Sequence, residues 1–205
     1  MTITLTDAQK DRASGVLLGQ AVGDALGVPY EFEPRIVVGT AEMIGGGLGP
    51  YEPGEWSDDT QMASCIALVT ADGGNLNTDA GLDAVAARFL EWREWGASDI
   101  GNLTRDVLDG VTPGPDLALR MTEVSRSFAL GDRAGNGALM RTGVVGLVSL
   151  YDREYGAEAA ANAASLTHAH VLCVESSVLW SEAVRVAVLM AKLDVRGGLD
   201  LLPEE

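Results

Sequence analysis

Apolar residues recur at spacings of three and four along most of the chain, the period of helices buried on one side. The first helix is predicted to start after Thr6, where Thr6 and Gln9 fit a capping box. Val16, Leu17 and Ala21 supply its apolar face. Gly15, Gly19, Gly23 and Gly27 fall every four residues along that helix. An interior glycine costs roughly 1 kcal/mol of helix propensity, so the stripe makes sense where another backbone or a ligand approaches closely. The helix should end near Gly27, because Pro29 disfavours helical geometry before it. Residues 39–57, rich in Gly and Pro, have no period and read as a long loop.

Further helices are predicted from Ser57 to Ala71, stopped by Gly73 and Gly74, and from Thr78 to Trp95. Leu82, Val85, Ala86, Phe89 and Leu90 form the core face of the second of these. Others are expected from Ser98 to Leu108, from Pro115-Asp116 to Leu130, and over 138–151, 154–166 and 170–194. No strand, repeat or interdomain linker emerges. The pattern specifies one all-α domain over residues 1–205, a compact helical bundle.

Composition agrees. Hydrophobic residues make up 47%, with Ala and Gly far ahead of the 5% of aromatics, which suits closely packed helices. The net charge of −16 opposes general binding to nucleic-acid phosphates. It leaves room for an anionic ligand at one site where a metal ion inverts the local field. Cys65 and Cys173 sit in apolar runs and read as small buried hydrophobes. With no apolar signal core near the N-terminus and no run of ~20 apolar residues, a soluble cytoplasmic protein is expected and no membrane partner.

Four features carry candidate chemistry. In Trp56-Ser57-Asp58-Asp59-Thr60, two adjacent carboxylates with flanking hydroxyls meet a helix start. These are hard oxygen ligands for Mg²⁺ or Mn²⁺; they serve equally as a Ser57 cap with two dipole-offsetting carboxylates. Asp24 lies one turn after Gln20 in a small, apolar stretch and needs a partner if buried, either a ligand or a neighbouring element that it caps. Glu31 follows the helix end, free to point into a site or into solvent. Gly135-Asn136-Gly137, with Met140 and Arg141 after it, offers backbone amides to a phosphate at a helix start; its plain alternative is a turn with a surface arginine. His168 and His170 are the only histidines. They are two apart, unsuited to sharing a helix face, so His168 reads as a structural histidine or a polar wall of a site.

Together, GVLLGQAVGDALGVPYEF, WSDDT, DIGN (Asp99 to Asn102), GNGALMR and SLTHAH occur in the order found in the ADP-ribosylglycohydrolase family, and the chain resembles its dinitrogenase-reductase-activating glycohydrolase type from about Ala13 onward. The resemblance implies an all-α bundle with a binuclear Mg²⁺ or Mn²⁺ centre. It implies a hydrolase that cleaves the glycosidic bond between ADP-ribose and a modified protein side chain or other acceptor, so the expected partner is an ADP-ribosylated protein or an ADP-ribose-containing small molecule. Carried over by residue, Ser57, Asp58, Asp59 and Glu31 are metal ligands, with Glu31, Asp58 and Asp59 catalytic. Asp24, Asn102, Gly135, Asn136, Gly137, Met140 and His168 line the substrate pocket. Ser57 stands where Thr is more usual in the family.

One departure is large. The family places a second metal motif, Asp-x-Asp-Thr/Ser, near its C-terminus, whereas after His170 the only aspartates here are Asp194 and Asp200. The domain is therefore expected to be C-terminally incomplete, as a fragment or a shortened protein, and to self-associate or take up a complementing C-terminal segment. The alternative is a catalytically inactive ADP-ribose-binding, immunity or crystallin-like structural protein.

Overall fold

A computed structural model describes residues 4–203, so Met1 to Ile3 of the N-terminal stretch and the final Glu204 and Glu205 lie outside the described residues. Among the described residues seven α-helices form the bundle: α1 (Asp7–Gly27), α2 (Asp58–Ala71), α3 (Asp79–Glu94), α4 (Asn102–Asp109), α5 (Leu117–Ala129), α6 (Arg153–Ser165) and α7 (Val171–Met190). Among the described residues there is no strand, only an isolated bridge between Gly46 and Tyr51 inside the long loop.

Local chemistry explains the helix starts. The Thr6–Gln9 capping box is formed: the Gln9 amide donates to Thr6 Oγ1 at 3.3 Å and the Thr6 amide to Gln9 Oε1 at 3.0 Å. Thr78 accepts from the Gly81 amide at 3.2 Å and Asp152 from the Tyr155 amide at 3.0 Å. Two other helices are capped from a distance. The Ala118 amide of α5 donates to Asp83 of α3 at 2.7 Å, and α2 is capped by Asp24 of α1.

Three predicted elements differ. Residues 138–151 are not one helix but two 3-10 turns, Leu139–Arg141 and Gly143–Leu147. Gly143 and Gly146 weaken α-helix here, and Gly146 lies so close to α7 that a Cβ on it would meet the Ser181 carbonyl at 2.5 Å. The fourth helix starts at Asn102 rather than Ser98, with Gly101 as its extended N-cap. The last helix stops at Met190, where Ala191 adopts φ 55°, and a 3-10 turn, Arg196–Leu201, follows.

The core joins Met62 and Ile66 of α2, Val85 and Phe89 of α3, Val107 of α4 and Met121 of α5, with Val145 and Leu166 beside them. Of the predicted face on α3, Val85, Ala86, Phe89 and Leu90 are buried and Leu82 packs at the edge. Helix α6 presents Ala159, Ala160, Ala163 and Ala164, all buried, which lets α7 pack closely.

Helix α1 is the exception. Only Ala25 of it is buried, while Leu18 and Val22 are exposed. A largely apolar groove of about 860 Å³ runs between α1 and α7, lined by Gly15, Val16, Gly19, Trp180, Val184 and Leu193. A Cβ added at Gly15, Gly19, Gly23 or Gly27 would meet nothing within 4 Å. The close neighbour that the glycine stripe implies is not among the described residues.

Candidate active site

The site is built where α1 ends and α2 begins. The Asp24 carboxylate accepts from the Ser57 amide (3.1 and 3.0 Å to its two oxygens), from Ser57 Oγ at 2.7 Å and from the Thr60 amide at 3.0 Å. It does for α2 what Ser57 does not: Ser57 occupies the N-cap position but makes no side-chain cap bond. One turn earlier, Gln20 donates to the carbonyls of Asp59 at 2.9 Å and Met140 at 3.0 Å. Two polar residues of α1 thus hold the first turn of α2 in place, and Asp58 and Asp59 with it.

Asp58 and Asp59 open onto a cleft of about 610 Å³ that Glu31 and Asp99 also line. Asp58 is buried, and burial, then the charges of Asp59, Asp99, Glu31 and Asp24, push its carboxyl up to about 8. Glu31 and Asp59 are also raised, each by burial first and then by other carboxylates; Asp99 is raised by burial and Asp24, against an opposing pull from Arg105. Four acids crowd one end of the cleft. Among the described residues, however, no three His, Cys, Asp or Glu side chains come close enough together to hold an ion. Ser57 does not line the cleft; its hydroxyl faces Asp24 and, at 3.4 Å, Asp59.

The other end of the cleft is the GNG loop. Gly135, Asn136, Gly137, Met140 and His168 line it, as do Asn102 and Arg133. Asn102 Oδ1 accepts from Arg105 at 3.0 Å. Arg133 pairs with Asp106 at 2.8 Å and stacks on Phe128 at 4.6 Å. Cys173, which is buried, donates to the Gly135 carbonyl at 3.3 Å, whereas Cys65 is only partly buried.

Arg141 is not a surface residue, and among the described residues it pairs with no carboxylate. It is completely buried against Phe89, its guanidinium 4.6 Å from the ring centre. It donates to the carbonyls of Gly137 at 3.0 Å and Ala163 at 3.2 Å, and to Thr167 Oγ1 at 2.7 Å. Its five donors suit a clamp on several acceptors at once. The GNG turn leads into a 3-10 turn rather than an α-helix, so the expected helix-start cradle for phosphate is not formed. His168 follows α6, and His170 caps α7 through the Leu172 amide at 3.3 Å.

The structure thus brings Glu31, Asp58 and Asp59 to one cleft with Asn102, Gly135, Asn136, Gly137, Met140 and His168, and sets Asp24 and Ser57 just behind it. Asp99 was not among the expected site residues. Its signal was the carboxylate that opens DIGN ahead of a helix.

The sequence profile of the ADP-ribosylglycohydrolase family matches residues 5–204, and the chain belongs to that family. It is 38% identical over 106 residues to "ADP-ribosylarginine hydrolase Tri1" of Serratia proteamaculans (strain 568), covering 48% of this chain and 28% of that protein. It is 33% identical over 141 residues to "ADP-ribosyl-[dinitrogen reductase] glycohydrolase" of Rhodospirillum rubrum, covering 64% of this chain and 42% of that one. A solved structure described as an ADP-ribosylglycohydrolase-related protein complex matches with a TM-score of 0.67 at 28% identity, over 91% of this chain and 59% of that chain. The chain therefore spans less than half the length of these two curated relatives. Its all-α bundle is the fold of the family.

Proposed function

We propose that this chain carries the ADP-ribosyl-binding half of a metal-dependent hydrolase that releases ADP-ribose from a modified arginine side chain. The observation that carries the reading is the cleft itself, acidic at Glu31, Asp58, Asp59 and Asp99 and lined by glycines, Arg133 and His168 at the other end. The names of the two curated relatives supply the substrate class. The mutually raised carboxylates are a costly arrangement that a purely structural protein has no need to keep.

The donor chemistry fits a divalent cation: hard oxygens and an acidic field that a cation would relieve. Asp58 and Asp59 would supply part of the shell of Mg²⁺ or Mn²⁺, with Ser57 steadying Asp59; among the described residues no third acid stands close enough to complete it, so Glu31, expected as a ligand, would act on the water instead. Such an ion, when bound, polarises the distal ribose hydroxyls and a water. The remaining chemistry belongs to the chain. The bond between the anomeric carbon and the arginine nitrogen breaks, and the carboxylates stabilise the positive charge that develops. Glu31, which lines the cleft, takes a proton from the attacking water and passes it to the leaving nitrogen, so that the carboxylate is restored. One water is consumed; ADP-ribose and free arginine are released.

Completion of the site belongs to a further segment. The groove between α1 and α7 is an apolar surface of a size that binds something, and the glycine stripe invites the close approach of a helix with a small-residue face. A complementing C-terminal segment, or failing that a second copy of the chain, would cover it. The same reading places the protein in the cytoplasm; among the described residues no helix is long and apolar enough to cross a membrane. Mass spectrometry of an arginine-ADP-ribosylated protein incubated with the chain tests the proposal. Loss of the ADP-ribosyl mass with recovery of unmodified arginine supports it, and cleavage at the pyrophosphate, leaving phosphoribose behind, refutes it.

A further inference from the structure

Three residues behind the GNG loop form a hydrogen-bond chain that the reaction above does not use. Arg141 Nη2 donates to Thr167 Oγ1 at 2.7 Å, and Thr167 Oγ1 lies 2.8 Å from His168 Nδ1. Arg141 and Thr167 have no exposed surface, and His168 has 3%.

Counting protons fixes the direction of this chain. Arginine has only donors, so Thr167 must accept from it. The single Thr167 proton then needs an acceptor, and among the described residues its only hydrogen-bonding neighbour besides Arg141 is His168 Nδ1. A proton on Nδ1 would leave the buried Thr167 hydroxyl proton without a partner, which is unfavourable in a site with no exposed surface. Nδ1 therefore accepts, and the ring proton sits on Nε2.

Nε2 faces the glycines. A Cβ on Gly137 would lie 3.0 Å from Nε2 and 2.7 Å from Cε1, and one on Gly135 would lie 3.5 Å from Nε2. Among the described residues Nε2 has no hydrogen-bond partner, yet the ring lines the cleft. A donor on a nearly buried ring, without a partner among the described residues and aimed past two glycines into a polar cleft, is placed to meet an acceptor supplied from outside.

We infer that Arg141 and Thr167 are positioning residues that lock His168 as a neutral Nε2–H donor, which holds an acceptor oxygen of the bound ADP-ribosyl group at the GNG end of the cleft. Only the identity of the ligand rests on the functional reading given above. The same buried arginine supports neutrality: burial, and then Arg141, pull the His168 pKa down to about 3. A charged imidazolium would offer a second proton at Nδ1, where Thr167 could no longer donate.

The test is long-range ¹H–¹⁵N correlation on protein with ¹⁵N-labelled histidine, recorded from pH 5.5 to 8 without ligand. His168 should show a protonated Nε2 and an unprotonated, hydrogen-bonded Nδ1 throughout that range. In Thr167→Val the Nδ1 signal should move to that of an unbonded ring nitrogen and the other tautomer should become populated, while Thr167→Ser should keep the original pattern. A protonated Nδ1 in the unaltered protein, or identical His168 signals in Thr167→Val, would overturn the relay. Titration with ADP-ribose adds the ligand: the Nε2 proton should shift, and affinity should fall about tenfold in Thr167→Val but less than twofold in Thr167→Ser. Binding that leaves the Nε2 proton unmoved would overturn the donor role. Failure of ADP-ribose to bind the unaltered protein would instead count against the functional reading, since the ligand-free spectra judge the relay alone.

Discussion

Asp24 caps a helix to which it does not belong: its carboxylate takes both the amide and the hydroxyl of Ser57, 33 residues further along the chain. The bond makes the last turn of α1 and the first turn of α2 one unit, and it sets where Asp58 and Asp59 stand.

Asp24→Ala should therefore cost about 2–4 kcal/mol, since three donors lose a charged acceptor. Asp24→Asn, which keeps one acceptor oxygen, should cost about half of that. Urea denaturation measures both. A change within about 0.5 kcal/mol for Asp24→Ala would show that the cap is not structural.

The carboxylate cluster makes a signed prediction about pH. Asp58 is raised from its ordinary 3.8 to about 8. A raised group contributes stability that is fully present below the unfolded pKa and is lost as pH rises through the folded one. His168 has the opposite sense: with its pKa pulled from 6.5 down to about 3, its contribution is lost as pH falls below 6.5. Above about pH 7 the His168 contribution levels off and the acids dominate up to about pH 8, so in chelator the melting temperature should fall as pH rises through that range. Mg²⁺ or Mn²⁺ should raise it more at pH 8 than at pH 6.5, and Asp58→Asn should remove most of the slope. Calorimetry across that window reads all three, and a flat profile in chelator would contradict the mutual repulsion.

Gly19 gives a cleaner contrast. In the isolated chain Gly19→Ala should stabilise by about 0.5–1 kcal/mol, because a methyl group there meets nothing and helix propensity improves. The same change should weaken self-association or capture of a C-terminal segment, read by analytical ultracentrifugation. Stabilisation without any loss of association would mean that the glycine stripe is not the contact face.

Gly137→Ala works in the other direction. The added methyl would press on His168 and on Thr104 Oγ1, 3.1 Å away, both fully or nearly buried. ADP-ribose affinity, measured by calorimetry, should fall tenfold or more. Unchanged affinity would remove the GNG end of the cleft from the binding site.

Much of this was legible before folding. The Thr6–Gln9 box, the core face of α3 and the motif order that marks the family rest on local patterns, and each reads directly from spacing. What was hidden depends on contacts between distant segments. Asp24 realises the cap on a neighbouring element that its sequence allowed, but nothing next to it says that the element is α2; nothing next to Arg141 says that it is buried, because, besides nearby Gly137, its acceptors come from Met62, Ala163 and Thr167. The 3-10 geometry of residues 139–147 likewise follows from how tightly Gly146 packs on α7. Asp99 joined the acids only once α4 had been set beside the loop that carries Glu31.

The measurement that bears most directly on the central claim is ADP-ribose release from an arginine-ADP-ribosylated protein with Mg²⁺ present. It has three arms: the chain alone, the chain with a C-terminal segment from a longer family member, and that mixture with Asp58 and Asp59 both changed to Ala. The account predicts weak release, a marked increase, and near-complete loss, in that order. Equal release from the third arm, or none from any arm, would contradict it.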